Sequence, residues 1–372
     1  MDLKLSYSWL KEYVSARQKP EELAKLLSLH SFNVERIHKE GANLDKVVVG
    51  QIIKLSKHPN AEKLSLTMVN VGGGEVPGGG KQLKIICGAK NIYENMFCAV
   101  ALPGAHIRWH GEGELVELKP ATIRGEESFG MICAAEEIGL GDLFSDMTEG
   151  VMDLKFLDAD GIDLGTPLAQ ALRLDDYIYE MEITSNRPDA MGVIGLAREA
   201  AAVSGGKFLY KPAVPPKSKS TETLPLTIEL NEKKACTKYT ALVLSDIEIK
   251  SSPWWLQKRL RQIGTRPINN IVDITNYIMM EHGKPMHAFD YDKLAGHKIT
   301  IRHAKQGEKL KALDGKIYDF KKPHLIMADE NGPVEIAGLM GGEASGISST
   351  TTKIVLLSAC FDHCNSVVPP AN

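Results

Sequence analysis

Nowhere in the 372 residues does an apolar run grow long enough to cross a bilayer. The opening segment MDLKLSYSWLKEYV lacks the basic, apolar and small-residue regions of a secretory leader. Cysteine is scarce. The six thiols, at 87, 98, 133, 236, 360 and 364, form no CxxC pair and no disulfide framework, so a reduced, cytoplasmic setting is expected. Cys360, His363 and Cys364 are close enough to suggest a metal site. Two further ligands are missing, so they are read as ordinary residues and no metal is expected in this chain. An excess of one charge is also lacking. With a formal net charge of -3, no global field attracts a polyanion, and nucleic-acid binding has to come from local patches.

What is present is the composition of a globular protein, with 43% hydrophobic and 24% charged residues. The length exceeds one ordinary core and predicts two to four domains. Trp9, Leu10, Tyr13 and Val14 recur at helical spacing, and Pro20 opens a second helix with Leu23, Leu26 and Leu27 on its apolar face. From Lys46 the texture becomes β-rich. Val47–Val49 start a strand, and Leu64, Leu66 and Met68 alternate with polar residues. VGGGEVPGGG (71–80) is a turn, since no GK[ST] or helix signal follows to make it a phosphate cradle. Further short strands, at 83–87, 96–102 and 129–134, suggest a small barrel. A small-residue helix ends at Gly205-Gly206, and KPAVPPKSKSTET (211–223) has linker composition. After Ser252-Pro253 another helix carries Leu256, Leu260 and Ile263 inward, with Lys258, Arg259 and Arg261 expected to face solvent.

Four ordered blocks, KHPNAEKLSLTMVNVG (57–72), IICGAKN (85–91), VALPGAHI (100–107) and IRGEESFGMICAAEEIGL (123–140), are similar to the tRNA-binding OB domain. EITSNRPDAMGVIGLARE (182–199) resembles the segment that follows that domain in the β chain of bacterial phenylalanyl-tRNA synthetase, where Asn186, Arg187 and Pro188 would fix a turn. RPINNIVDITNYIMMEHGKPMHAFDYDKL (266–294), LKALDG (310–315) and LMGGEASGISSTTTKIVLLSACFD (339–362) resemble the editing domain of the same chain. The resemblance covers nearly the whole chain in the family's order.

It implies a multidomain α+β protein. An OB-fold β-barrel (41–150) would be inserted in a small α/β domain (1–40 and 151–206). A linker (207–223) and a mixed α/β editing domain of B3/B4 type (224–372), incomplete at its C-terminus, would follow. The partners implied are tRNA(Phe) and the synthetase α chain, in an α2β2 assembly with no membrane. ATP and Mg are implied only for the complete assembly. The activity implied is that of a phenylalanine–tRNA ligase subunit that binds tRNA and hydrolyses mischarged tyrosyl-tRNA, a second check needed because an apolar pocket discriminates poorly against an added hydroxyl. A free-standing tRNA-binding or deacylase factor and a non-catalytic scaffold are the alternative readings.

On the barrel rim, His58, Asn60, Lys63, Lys90, Asn91 and Arg124 are the expected tRNA contacts, each with a turn-forming or solvated role as its competitor. By motif, Thr275, Asn276 and His287 are the expected catalytic residues. The first two would hold water or the terminal ribose, and His287 would orient or accept from that water. A buried histidine bonded to backbone after Pro285 is the structural alternative. Asn270, Ala337, Gly338, Gly341 and Leu357 complete the expected pocket, with small residues allowing close approach to backbone N–H groups. The family carries a glutamate at the position of Leu357, where it accepts the tyrosine hydroxyl. No carboxylate follows here until Asp362, which predicts weakened preference for tyrosine.

Overall fold

The structure, a computed structural model, describes residues 2–73, 82–147, 149–161, 163–215, 223–321 and 324–362. Most of the 71–80 turn, residues 216–222 of the expected linker, and His363 and Cys364 lie outside them. The chain is mixed α/β with several separate sheets and divides into two compact units. The first comprises Met1–Glu12, Ala16–Ile183 and Pro253–Arg266, and the second comprises Tyr13–Ser15, Thr184–Ser252 and Pro267–Asn372.

In the first unit, Asp2–Ser6, Tyr177–Glu182 and Asn33–Lys39 form an antiparallel sheet with Tyr177–Glu182 at its centre. Pro20 stands at the first position of the helix Pro20–His30, where its missing N–H costs nothing, and Leu23 and Leu27 are buried. A larger antiparallel sheet has the order Met131–Ile132, Phe97–Ala101, Val47–His58, Ala61–Asn70, Gln82–Cys87. Val47 and Val49 pack in one apolar cluster and Val48 in another. The strand is thus buried on both faces, and a continuous valine run replaces alternation there. Among the described residues the hydrogen-bonded order of this sheet is open, and no closed barrel is found. Two bonds tie the Gln82–Cys87 edge to the segment preceding Met131. The Phe129 N–H donates to Lys84 O (2.9 Å), and the Ile86 N–H donates to Ser128 Oγ (3.1 Å).

The helix Trp254–Gln262 belongs to this unit. Trp254 stacks on Phe144 (5.9 Å, 5°), lies 4.8 Å from Phe156, and donates from Nε1 to Leu172 O (3.2 Å). Its basic residues do not face solvent as the helical pattern suggested. Arg261 is buried, paired with Asp146, with its guanidinium 4.8 Å from the Phe144 ring centre. Arg259 pairs with Glu12, and Lys258 with Glu40. Carboxylates distant in sequence satisfy these cations, which is what permits their burial.

The second unit contains two sheets. One has the order Thr227–Leu230, Lys298–His303, Leu325–Ala328, Pro333–Ile336, Met340–Gly341, parallel in its first pair and antiparallel thereafter. The other has Ile354–Phe361 between Cys236–Leu244 and His287–Asp290, all antiparallel. A single core joins them. Ile299, Ile301, Leu325 and Met327 come from the first sheet, and Tyr239, Phe289, Val355 and Leu357 from the second. The helix Asn270–His282 starts on the Asn269 side chain, which accepts from the Ile271 and Val272 N–H groups, and stops at Gly283 in the left-handed region. The helix Val193–Ser204 begins beside it. A Cβ at Gly192 would stand 2.4 Å from the Gly283 nitrogen, so only glycine permits that approach. Arg187 grips Asp189 through two 2.9 Å bonds and reaches Glu199 (2.7 Å), bracing the turn before this helix.

Candidate functional site

In the first unit the expected rim residues fall into separate groups. His58 is buried. Its Nε2 meets Ile123 O (3.2 Å) and its Nδ1 accepts from the Asn60 N–H (3.1 Å), while Asn60 Nδ2 donates to Arg124 O (3.2 Å). These three residues therefore lock the 58–61 turn to the Ala121–Ser128 hairpin, leaving the Arg124 side chain exposed at its tip. Lys63 and Lys90 are exposed. Asn91 is engaged at both ends of its amide, donating to Val151 O (2.8 Å) and accepting from the Val151 N–H (3.0 Å). Sequence reasoning passed over Trp109. It is 52% exposed and, with His110, Lys119 and Ile123, lines a groove beside the sheet. An exposed ring next to basic residues suits base stacking, and its signal was the Arg-Trp-His triplet at 108–110.

In the second unit three of the editing candidates, His287, Leu357 and Gly341, meet at one strand pair. His287 pairs with Leu357 across the antiparallel ladder. The segment between Gly283 and His287 is pinned to the Leu357 strand, because the Lys284 ammonium donates to Ala359 O and lies 3.1 Å from Cys360 Sγ. The imidazole stands edge-on to Phe289 at 4.7 Å. Its Nε2 is buried without a hydrogen-bond partner, and burial lowers its pKa to about 4. It is therefore neutral at neutral pH. Gly341 lies against the ring, since a Cβ there would be 2.5 Å from Cε1 and 2.7 Å from Nε2.

Ala337 and Leu357 are buried in the core between the sheets. Gly338 takes a positive φ of 72° beneath the Phe361 ring, where a Cβ would meet Cδ2 at 2.6 Å. The Gly338 N–H donates to Glu335 Oε1 (3.3 Å). Glu335 is buried and was not singled out by sequence reasoning. Thr275 and Asn276 lie on the helix that leads into the His287 strand, and neither is hydrogen-bonded to His287. Thr275 Oγ1 donates to Val272 O (2.7 Å), and Asn276 is half-buried. Asn270 holds backbone with its amide, donating to Glu248 O (2.9 Å) and accepting from the Lys250 N–H (3.2 Å). Among the described residues no group of three His, Cys, Asp or Glu is placed to hold a metal ion, and no helix is long and apolar enough to cross a membrane.

The model of the B3/4 domain matches residues 235–366, and that of a putative tRNA binding domain matches 47–155. The chain is 41% identical over 361 residues to the phenylalanine–tRNA ligase beta subunit of Anaeromyxobacter dehalogenans, covering 96% of this chain and 42% of that one. By sequence, the chain is a relative of the phenylalanine–tRNA ligase beta subunits. The beta subunit of Fusobacterium nucleatum is 39% identical over 362 residues, again with 96% and 42% covered. The chain thus spans about two fifths of the length of these curated ligase beta subunits. Among solved structures, an N-terminal fragment of the phenylalanyl-tRNA synthetase beta-subunit from Pyrococcus horikoshii shows a slight likeness. Its TM-score is 0.31 at 13% identity, covering 51% of this chain and 58% of that one.

Proposed function

We propose that this chain acts as a beta-chain segment of phenylalanine–tRNA ligase that binds tRNA(Phe) and hydrolyses tyrosine wrongly esterified to it. The observation that carries this reading is His287, a half-buried neutral imidazole whose Nε2 is buried and has no partner among the described residues. A buried polar atom left unpaired at a motif-matched position is best explained by a group that arrives with the substrate. In ester hydrolysis a water oxygen bonds to the carbonyl carbon, and the bond to the ribose oxygen then breaks as that oxygen takes up a proton. A neutral imidazole suits the orientation of such a water through Nε2, and its low basicity makes it a positioning acceptor more than a strong base. The half-buried Asn276 amide would meet the terminal ribose, with Thr275, buried and bonded to Val272 O, holding the helix beneath it.

Residues 47–155 supply the tRNA grip. Their five-stranded sheet, with the Phe129–Lys84 bond at its open edge, is read as an OB-type barrel inserted between 1–40 and 151–206. Synthesis of phenylalanyl-tRNA, with its ATP and Mg, is assigned to the assembly with an α chain in the cytoplasm. Among the described residues no donor groups make a metal site. The test is deacylation of tyrosyl-tRNA(Phe) by the purified chain, with His287→Ala as the comparison.

A further inference from the structure

Glu335 is 4% exposed. One carboxylate oxygen accepts from the Gly338 N–H at 3.3 Å, and the other, Oε2, has no partner among the described residues. The turn needs only one of these oxygens, and a buried polar atom left unpaired carries its desolvation cost with nothing to offset it. A leucine or methionine at 335 would avoid that cost, so the carboxyl calls for an explanation beyond the fold.

Its surroundings point to one. Glu335 is the cross-strand partner of both Met327 and Gly341, so its side chain lies on the Met327 side of the sheet, facing the core between the two sheets. Leu357 enters the same core from the opposite sheet, as the strand partner of His287. Tyr239 also enters from that sheet. Its hydroxyl reaches Met327 Sδ (3.4 Å), and its pKa is raised by burial and then by the nearby Glu335 charge. Gly341, beside Glu335 in the ladder, touches the His287 ring. Two orphaned polar atoms, Glu335 Oε2 and His287 Nε2, therefore flank Gly341. Burial pushes the Glu335 pKa up to about 8. At neutral pH the group is mostly a neutral acid, able to donate one hydrogen bond and accept another.

We propose that Glu335 is the specificity-determining residue of this site, receiving the phenolic hydroxyl of the substrate side chain in the place where Leu357 offers no acceptor. The inference rests on the ester-hydrolysis reading for its substrate, but it concerns binding and can be tested without turnover.

The test compares binding of L-tyrosinamide and L-phenylalaninamide to the full chain by calorimetry, alongside hydrolysis of tyrosyl- and phenylalanyl-tRNA. The native chain should prefer the hydroxylated ligand by about ten-fold or more. Glu335→Met should erase that preference, and Glu335→Gln, which keeps an oxygen for Gly338 and a donor beside it, should retain part of it. Infrared difference spectra give a second readout that does not depend on the methionine variant folding. The carbonyl band of the buried acid should shift with tyrosinamide, not with phenylalaninamide, and should be absent from Glu335→Gln. A native chain without tyrosinamide preference, a preference surviving Glu335→Met, or an acid band that ignores tyrosinamide would each overturn the proposal. Glu335-dependent binding with no hydrolysis of either ester would sustain it and remove the hydrolytic function. Tyrosyl-selective hydrolysis indifferent to Glu335→Met would do the reverse.

Discussion

Gly341 stands so close to His287 that a Cβ at 341 would lie 2.5 Å from Cε1 and 2.7 Å from Nε2 of the ring. The glycine has an ordinary backbone conformation, so alanine is tolerated there by the chain itself, and the strain falls on the imidazole. Gly341→Ala should turn the ring away from its present position. Displacement of a positioned group by a fraction of an ångström to an ångström is enough to lower ester hydrolysis by roughly ten-fold or more. Tyrosyl-tRNA deacylation and tRNA binding, measured on the same preparation, should respectively fall and hold.

The rim of the large sheet separates structural from binding residues. His58 uses both ring nitrogens within the protein. His58→Ala should therefore cost about 1–3 kcal/mol of stability by leaving Ile123 O and the Asn60 N–H without their partner. Exposed Lys63 offers a contrast. Lys63→Glu should change stability by no more than about 0.5 kcal/mol, weaken tRNA binding, and reduce the steepness of its salt dependence. Denaturant unfolding and tRNA titration at several salt concentrations check both expectations.

Glu335 and His287 make stability depend on pH in opposite directions. Burial keeps Glu335 protonated to about pH 8 when folded, against an ordinary value of 4.5. Between those values the folded state binds the extra proton, so this contribution is complete below 4.5 and is lost as pH rises to about 8. Burial lowers the His287 pKa to about 4 when folded, against an ordinary value of 6.5, so its contribution is lost as pH falls from 6.5 to about 4. Tyr239, facing the same core, has its pKa raised above the usual tyrosine range and stays neutral throughout. From 4.5 to 6.5 the two slopes oppose each other. From 6.5 to 8 the glutamate acts alone, with a slope of up to about 1.4 kcal/mol per pH unit. Glu335→Gln should flatten this alkaline decline while keeping the acid one. Unfolding curves across pH 4 to 9 that are identical for both chains would contradict this.

Trp254 anchors its helix to the first unit by stacking on Phe144 and bonding to Leu172 O. Trp254→Ala should destabilise that unit by about 3–5 kcal/mol. Denaturation followed by hydrogen exchange should report the loss in the first unit.

Much of this architecture was legible in the sequence because it rests on local signals. Pro20, the Gly205 stop and the strands around 47–58 and 61–70 depend on neighbours along the chain. What escaped depends on partners far away. Lys258, Arg259 and Arg261 make a plausible solvated face until Glu40, Glu12 and Asp146 are brought to them. Asn270 and Asn91 look like free polar groups until their amides are found on backbone at 248–250 and 151. Glu335, in the run Pro-Val-Glu-Ile, resembles the solvent-facing position of a half-buried strand. The second sheet covers that face and turns an exposed acid into a buried one. Counting along the chain from Leu357 for a nearby carboxylate overlooked it for the same reason.

In the proposed function, the half-buried imidazole of His287, with its buried Nε2, serves the hydrolysis of a mischarged ester. The most direct measurement is the rate at which the purified chain releases tyrosine from tyrosyl-tRNA(Phe), set beside that of His287→Ala at equal tRNA occupancy. Release should run well above the spontaneous rate and fall by about 10²-fold or more in the variant. Release no faster than without protein, or equally fast after His287→Ala, would contradict it.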